Sequence, residues 1–313
     1  MTANIPGLEA LGDVASTPSE TEERGTRRTH VSRRRLYLRR FLRNRGAVVG
    51  LAVLALLVLF ALFGSLLTTY TYTDVDFASL SSAPSPEHLF GTNGAGNDTY
   101  AQAVHGLQRS LVIALVVSAL TTMIAAFVGA AAAYLGGLAE KIILAVIHFL
   151  LVVPSFLILA LVSQRAHGDW SVLILVLTVF GWMFGARVVW SLTTSLRERE
   201  YVQAARYMGV GPIRIVVRHL IPNIGSLLIV SFTLGVVATV QSETALSFIG
   251  FGVQPPDVSL GTMLSDGANT VSSAPWLFYV PAGLVTLLSV SMALIGDGLR
   301  DALDPTSRSG GRA

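Results

Sequence analysis

The sequence predicts an all-α membrane protein: six transmembrane helices, with a cytoplasmic helix-turn-helix between spans four and five. Three observations carry this. Of the 313 residues, 52% are hydrophobic and only 13% charged, against about 25% charged in an ordinary soluble domain. Six apolar segments, at about 46–68, 109–135, 141–163, 171–193, 224–246 and 276–297, each approach the roughly 20 residues that cross a bilayer. With the N-terminus placed inside, all but three of the 22 basic residues fall on the inner side, the exceptions being Arg109, Arg165 and Arg187. That asymmetry is the positive-inside pattern of a multi-pass plasma-membrane protein with both termini in the cytoplasm.

In chain order, residues 1–30 are rich in Thr, Ser, Glu and Gly without apolar periodicity. They predict a disordered cytoplasmic tail, and they lack the basic start and prompt apolar core of a secretory signal. Residues 31–68 join a basic block (Arg33, Arg34, Arg35, Arg39, Arg40, Arg43 and Arg45) to the first span. Directly against a span, such a block holds the cytoplasmic end and meets anionic lipid; no nucleic-acid role is assigned to it. Residues 69–108 predict an extracytoplasmic loop. The core, 109–297, holds the remaining five spans, with tight turns at 136–140 and 164–170. Pro154 predicts a kink in span three. Gly129 and Ala130 to Ala133 predict close helix contact. Residues 298–313 form a cytoplasmic tail.

The loop at 197–223 is the longest polar interruption among the later spans. An Ala-rich, charged helix is expected over about 197–208. Gly209 and Gly211 suit the end of that helix, and Pro212 suits the first turn of the next. Ile213, Val216, Val217 and Leu220 give the second helix an apolar stripe, with Arg214 and Arg218 off it; Pro222 is expected to stop it. Taken by itself, this pattern fits an amphipathic loop lying on lipid as well as a docking element.

Chemistry is sparse. The sole lysine, Lys141, follows Glu140 rather than Gly, so the Gly-Lys-Ser/Thr of a nucleotide-binding loop is missing. There is no cysteine, and the histidines at 30, 88, 105, 148, 167 and 219 show no metal-ligand spacing. No enzyme activity, metal or bound cofactor is expected of this chain. Glu243, beside Gln241, Ser242 and Thr244 near the outer end of span five, is a costly intramembrane charge. It implies either a translocation path or gate, or a partner such as Arg109. Arg187 is expected to snorkel to the inner interface.

Four stretches resemble a known family. Gln203-Ala204-Ala205, Gly209 and Ile221-Pro222 are similar in spacing to the EAA loop of bacterial ABC-importer permeases. Gln203 stands where that family has Glu, and Ile221 where it has Leu. His88, Gly91, Thr92, Gly96, Asp98, Gly106, Arg109 and Ser110, the run from Ser247 to Pro256, and Gly296 to Pro305 resemble the C-type permeases of the dipeptide, oligopeptide and nickel branch. The resemblance implies an importer subunit that pairs with a homologous permease and two ATP-binding subunits. It also implies an extracytoplasmic peptide-binding protein, with ATP and Mg held by the partners. It implies that Gln203, Ala204, Ala205, Gly209, Pro212, Ile221 and Pro222 couple to the ATPase. A nickel-chelate or glutathione importer, and an ATPase-independent channel or scaffold, stay open as alternatives.

Overall fold

The computed structural model describes residues 33–165 and 168–303. The expected N-terminal tail, residues 166 and 167, and residues 304–313 lie outside the described residues. Helices follow in order: α1 Arg33–Arg43, α2 Arg45–Phe63 with a 3-10 turn to Leu67, α3 Thr99–Leu135, α4 Gly137–Val152, α5 Ser155–Arg165, α6 Trp170–Gly181 and α7 Met183–Arg197. Then come α8 Glu200–Tyr207, α9 Pro212–Ile215, a π turn over Val216–Leu220, α10 Ile221–Asn223, α11 Gly225–Phe248, α12 Leu260–Ala268 and α13 Trp276–Leu303. Among the described residues the only strand-like pairings are two isolated bridges, Val75 with Asn97 and Thr92 with Asp98.

Among the described residues five stretches are long and apolar enough to cross a membrane: Arg45–Leu67, Thr99–Leu135, Trp170–Arg197, Gly225–Phe248 and Trp276–Leu303. The expected third span is broken. Gly137–Val152 and Ser155–Val162 are bent by 70° at Pro154, where a kink was expected. Proline excludes its predecessor from the helical region, and Val153 is accordingly extended, at φ −64 and ψ 129. The predicted turn at 136–140 shrinks to Gly136, since α4 begins at Gly137.

The second span also starts earlier than expected, at Thr99 rather than near 109. Asp98 caps it, accepting from the Ala101 amide at 2.7 Å, which satisfies one of the amides that every helix start leaves free. At 37 residues, α3 is about 55 Å long. That exceeds the roughly 30 Å hydrocarbon layer. The mix of polar and apolar residues in TYAQAVHGLQ predicts a loop for the first turns of α3, yet Tyr100, Ala103, Val104 and Leu107 are buried.

α3 is the central post, packed by α7, α11, α6 and α2. Lipid is as apolar as leucine, so close packing rather than escape from water holds spans together. The expected close contact around Gly129 is with α7: a Cβ there would collide with the Ala186 carbonyl and the Val189 side chain. Leu107, Leu111 and Ala114 of α3 meet Val236 and Val240 of α11 and Leu288 and Met292 of α13 in the largest apolar cluster.

Candidate functional site

The segment after α7 is anchored before it turns outward. Arg197 donates from Nη1 to the Ala133 carbonyl at 2.8 Å and lies 3.9 Å from Glu140. The same Glu140 accepts from Trp190 Nε1 at 2.7 Å. The first helix, expected from about 197, starts at Glu200, because the chain breaks at Glu198 and Arg199. α8 turns Val202 and Ala205 inward, where they are buried against Val189, Ile215, Val216 and Leu220. Gln203, Ala204 and Gly209 face outward. Ala205 is therefore small for internal packing. Gly209 has φ 76 and open space where a Cβ would sit, so glycine there serves the left-handed backbone at the helix end.

The second half departs from the expected stripe. Ile215, Val216, Leu220 and Ile224 are buried, while Ile213 is 69% exposed and Val217 is half exposed. The π turn explains it: the Ile221 amide bonds the Val216 carbonyl, five residues back, so the inward face rotates. Nor does Pro222 stop the helix, which runs on through α10 to Asn223. Pro222 has no amide to donate, and the widened turn lies just before it. Pro212 opens α9 as expected, Ile221 is half buried and Pro222 is exposed. Tyr207, Met208 and Ile213, at 86%, 76% and 69% exposure, form an apolar crown on the outward side.

At the other end of the bundle, Glu243 is 1% exposed. Its partner is not Arg109. Ser247 donates to Oε1 at 2.8 Å and Ser110 to Oε2 at 3.3 Å. The Ser110 hydroxyl also receives the Leu260 amide at 3.3 Å, and Ser247 lies 3.4 Å from Ser259, the capping residue of α12. One carboxylate thus ties α3, α11 and the start of α12 together. Gln241 and Ser242 are exposed and point elsewhere. Of these contacts only the 243/247 pair, one helical turn apart, was legible in the sequence. Arg109 instead pairs with Asp257 at 2.8 Å and lies over Trp170 at 4.3 Å. Asp257 also holds His105 at 2.6 Å, and Tyr72 stacks on that histidine. Beside them is a cavity of about 560 Å³ that includes Asn93, Gln102, Gln254 and Asp266. Burial pushes the Asp266 carboxyl up.

The loop before α3 is clamped by His88, which is 2% exposed. Its ring nitrogens meet Asp98 at 2.8 Å and Asp76 at 3.4 Å. Burial opposes a charge on this imidazole, but hydrogen bonds to Asp98 and Asp76, and their charges, outweigh it and hold the pKa above the ordinary value. Hydrogen bonds from the Ala78 amide and Ser79 hold Asp76 below the usual carboxylate range.

A groove runs along α6 and α7 where they face α11. It consists of cavities of about 200, 370 and 550 Å³. The first two share Gly181 and Gly235, and the last two share Phe184 and Val188. Ser242 lines one end, and Arg187, Ser191 and Ser195 line the other.

Helices of this length and apolarity, buried polar hubs near one end and a crowned polar segment at the other define a polytopic α-helical membrane protein. The chain belongs to the family described as binding-protein-dependent transport system inner membrane component, whose model matches residues 119–309. Residues 32–84 match the N-terminal TM domain of oligopeptide transport permease C. The chain is 49% identical to the oligopeptide transport system permease protein OppC of Mycobacterium tuberculosis over 280 residues, 89% of this chain and 96% of that protein. It is 36% identical to the protein of that name in Escherichia coli, covering 93% and 98% of the two chains. For the Bacillus subtilis protein the identity is 32%, covering 86% and 88%. The resemblance drawn from the four motif stretches is thereby borne out.

Proposed function

We propose that this chain is the permease subunit of an ATP-driven oligopeptide importer, with six spans and both termini in the cytoplasm. The bent pair α4–α5 supplies the sixth span. The relatives named for oligopeptide transport, at up to 49% identity over most of both chains, support the substrate class. A homologous permease completes the path, two ATP-binding subunits hold ATP and Mg, and a binding protein delivers peptide at the outer face.

The observation that carries the coupling role is the cytoplasmic segment itself. Ile215, Val216, Leu220 and Ala205 fasten it to α3 and α7, while Tyr207, Met208, Ile213, Ala204 and Gly209 are presented outward. A rigid base with an exposed apolar crown suits a cleft on a protein partner. Gln203, Ala204, Gly209, Pro212 and Pro222 form or shape that exposed face, whereas Ala205 and Ile221 support it from within. Near the outer end, Ser242 faces the groove and Glu243 braces the elements around it. The test is recovery of the ATP-binding subunits on the tagged permease. Ile213→Asp, with Met208→Asp, is expected to insert at the wild-type level and lose ATPase recovery and peptide uptake. Full recovery with normal uptake would remove the coupling role.

A further inference from the structure

Among the described residues Arg187 is the single ionisable one lining the groove between α6/α7 and α11. It is exposed, and among the described residues no acid pairs with it. It sits ten residues before Arg197, about 15 Å along the helix axis, inside the span Trp170–Arg197. A guanidinium at such a place is costly unless it faces a water-filled cavity or an anion. The cavity around it measures about 550 Å³, enough for a small peptide fragment. Ser191, one turn further along the same face, is exposed and makes no side-chain hydrogen bond among the described residues, whereas the Ser195 hydroxyl is turned back to the Leu192 carbonyl.

The rest of the groove is apolar, hydroxyl or glycine, with Phe184, Val188, Leu227, Leu228 and Ser231 on its walls. Such walls accept side chains of many shapes without reading any of them. What linear peptides share is a backbone and two charged ends. A planar guanidinium fork matches a carboxylate bidentately. We propose that Arg187 holds the α-carboxylate of a passing peptide, with Ser191 as a second donor. This rests on the reading of the chain as a peptide-importer subunit, and adds to it a site for one end of the substrate.

The test uses the assembled transporter in proteoliposomes with its binding protein, and two probes: trialanine and its C-terminal amide. The binding protein is common to all preparations, so its own preference cancels when each variant is compared with wild type. Arg187→Gln is expected to lower trialanine uptake about tenfold, the size of one lost charge-assisted contact, and amide uptake by less than about twofold on the same reasoning. Arg187→Lys, which keeps the charge but loses the bidentate fork, is expected to keep only part of the preference. Equal losses for the two probes, or none, would overturn the proposal; equal losses point to an acidic group of the companion permease instead. If the Gln variant is missing from the membrane, the wild-type assembly decides. A peptide ending in p-benzoylphenylalanine is expected to crosslink to α7 between Phe184 and Ser195, and crosslinking elsewhere only would overturn the assignment. Wild type that imports neither probe would fail the importer reading itself, separately from Arg187.

Discussion

At the residue scale, small residues of one motif do different jobs. Ala205 is closed in by α9 and the π turn, so Ala205→Leu overpacks, at a cost of about 1–3 kcal/mol. It is expected to reduce the amount of folded permease in the membrane. Ala204 is exposed on the same helix, so Ala204→Leu is expected to leave that amount unchanged while altering ATPase recovery. Equal folded amounts for the two variants would contradict this assignment of faces. His88 supplies a pH test. Its folded pKa is raised, so the stability it lends is fully present below the unfolded value of about 6.5 and is lost as pH rises through the folded value. Thermal unfolding of wild type and His88→Gln is therefore expected to show a wider gap at pH 6 than at pH 9. A gap independent of pH would mean that the imidazole acts through shape alone.

At the element scale, α12 depends on groups far away in the sequence. Its amide at Leu260 and its cap Ser259 reach Glu243 through Ser110 and Ser247. Glu243→Leu leaves these buried hydroxyls without their acceptor, and about 1–3 kcal/mol is the usual cost of one such orphan. Glu243→Gln keeps the shape and one acceptor oxygen. Leu is accordingly expected to lower the melting temperature more than Gln, and to speed exchange of the α12 amides. Equal melting temperatures for both variants would sink the bracing role. The π turn makes a second lesson of the same kind. Periodicity placed Ile213, Val216, Val217 and Leu220 inward; Val216 and Leu220 are buried, but beside the widened turn Ile215 takes the inward place of Ile213 and Val217. A stripe count assumes 3.6 residues per turn, and it fails wherever a proline forces the backbone to depart from that.

At the scale of the whole molecule, the proposed topology rests on where the arginines lie. Single cysteines at Ala83 and Ser272, both exposed, are expected to react with an impermeant thiol reagent in intact cells. A cysteine at Glu198, also exposed, is expected to react only after lysis. Labelling of position 198 from outside would invert the proposed orientation. The bend at Pro154 makes the α4–α5 pair the place where the span count is decided. If the pair turned back within the membrane, every later loop would change sides, so that position 198 would react from outside with position 83 and position 272 only after lysis.

The sequence by itself determined the helical class, the membrane location and the family, because apolar length, charge asymmetry and motif spacing are local or additive properties of the chain. It also placed the break at Gly209 and the start at Pro212, since backbone conformation there is dictated by one residue each. Which side of α8 is buried, what Glu243 and Arg109 hold, and that Ser110, Ser259 and Asp257 belong to polar hubs were decided only in three dimensions. Ser110 and Leu260 lie 150 positions apart. Spacing along a chain records helix faces within one element, whereas a partner brought in by the packing of another element leaves no periodic trace.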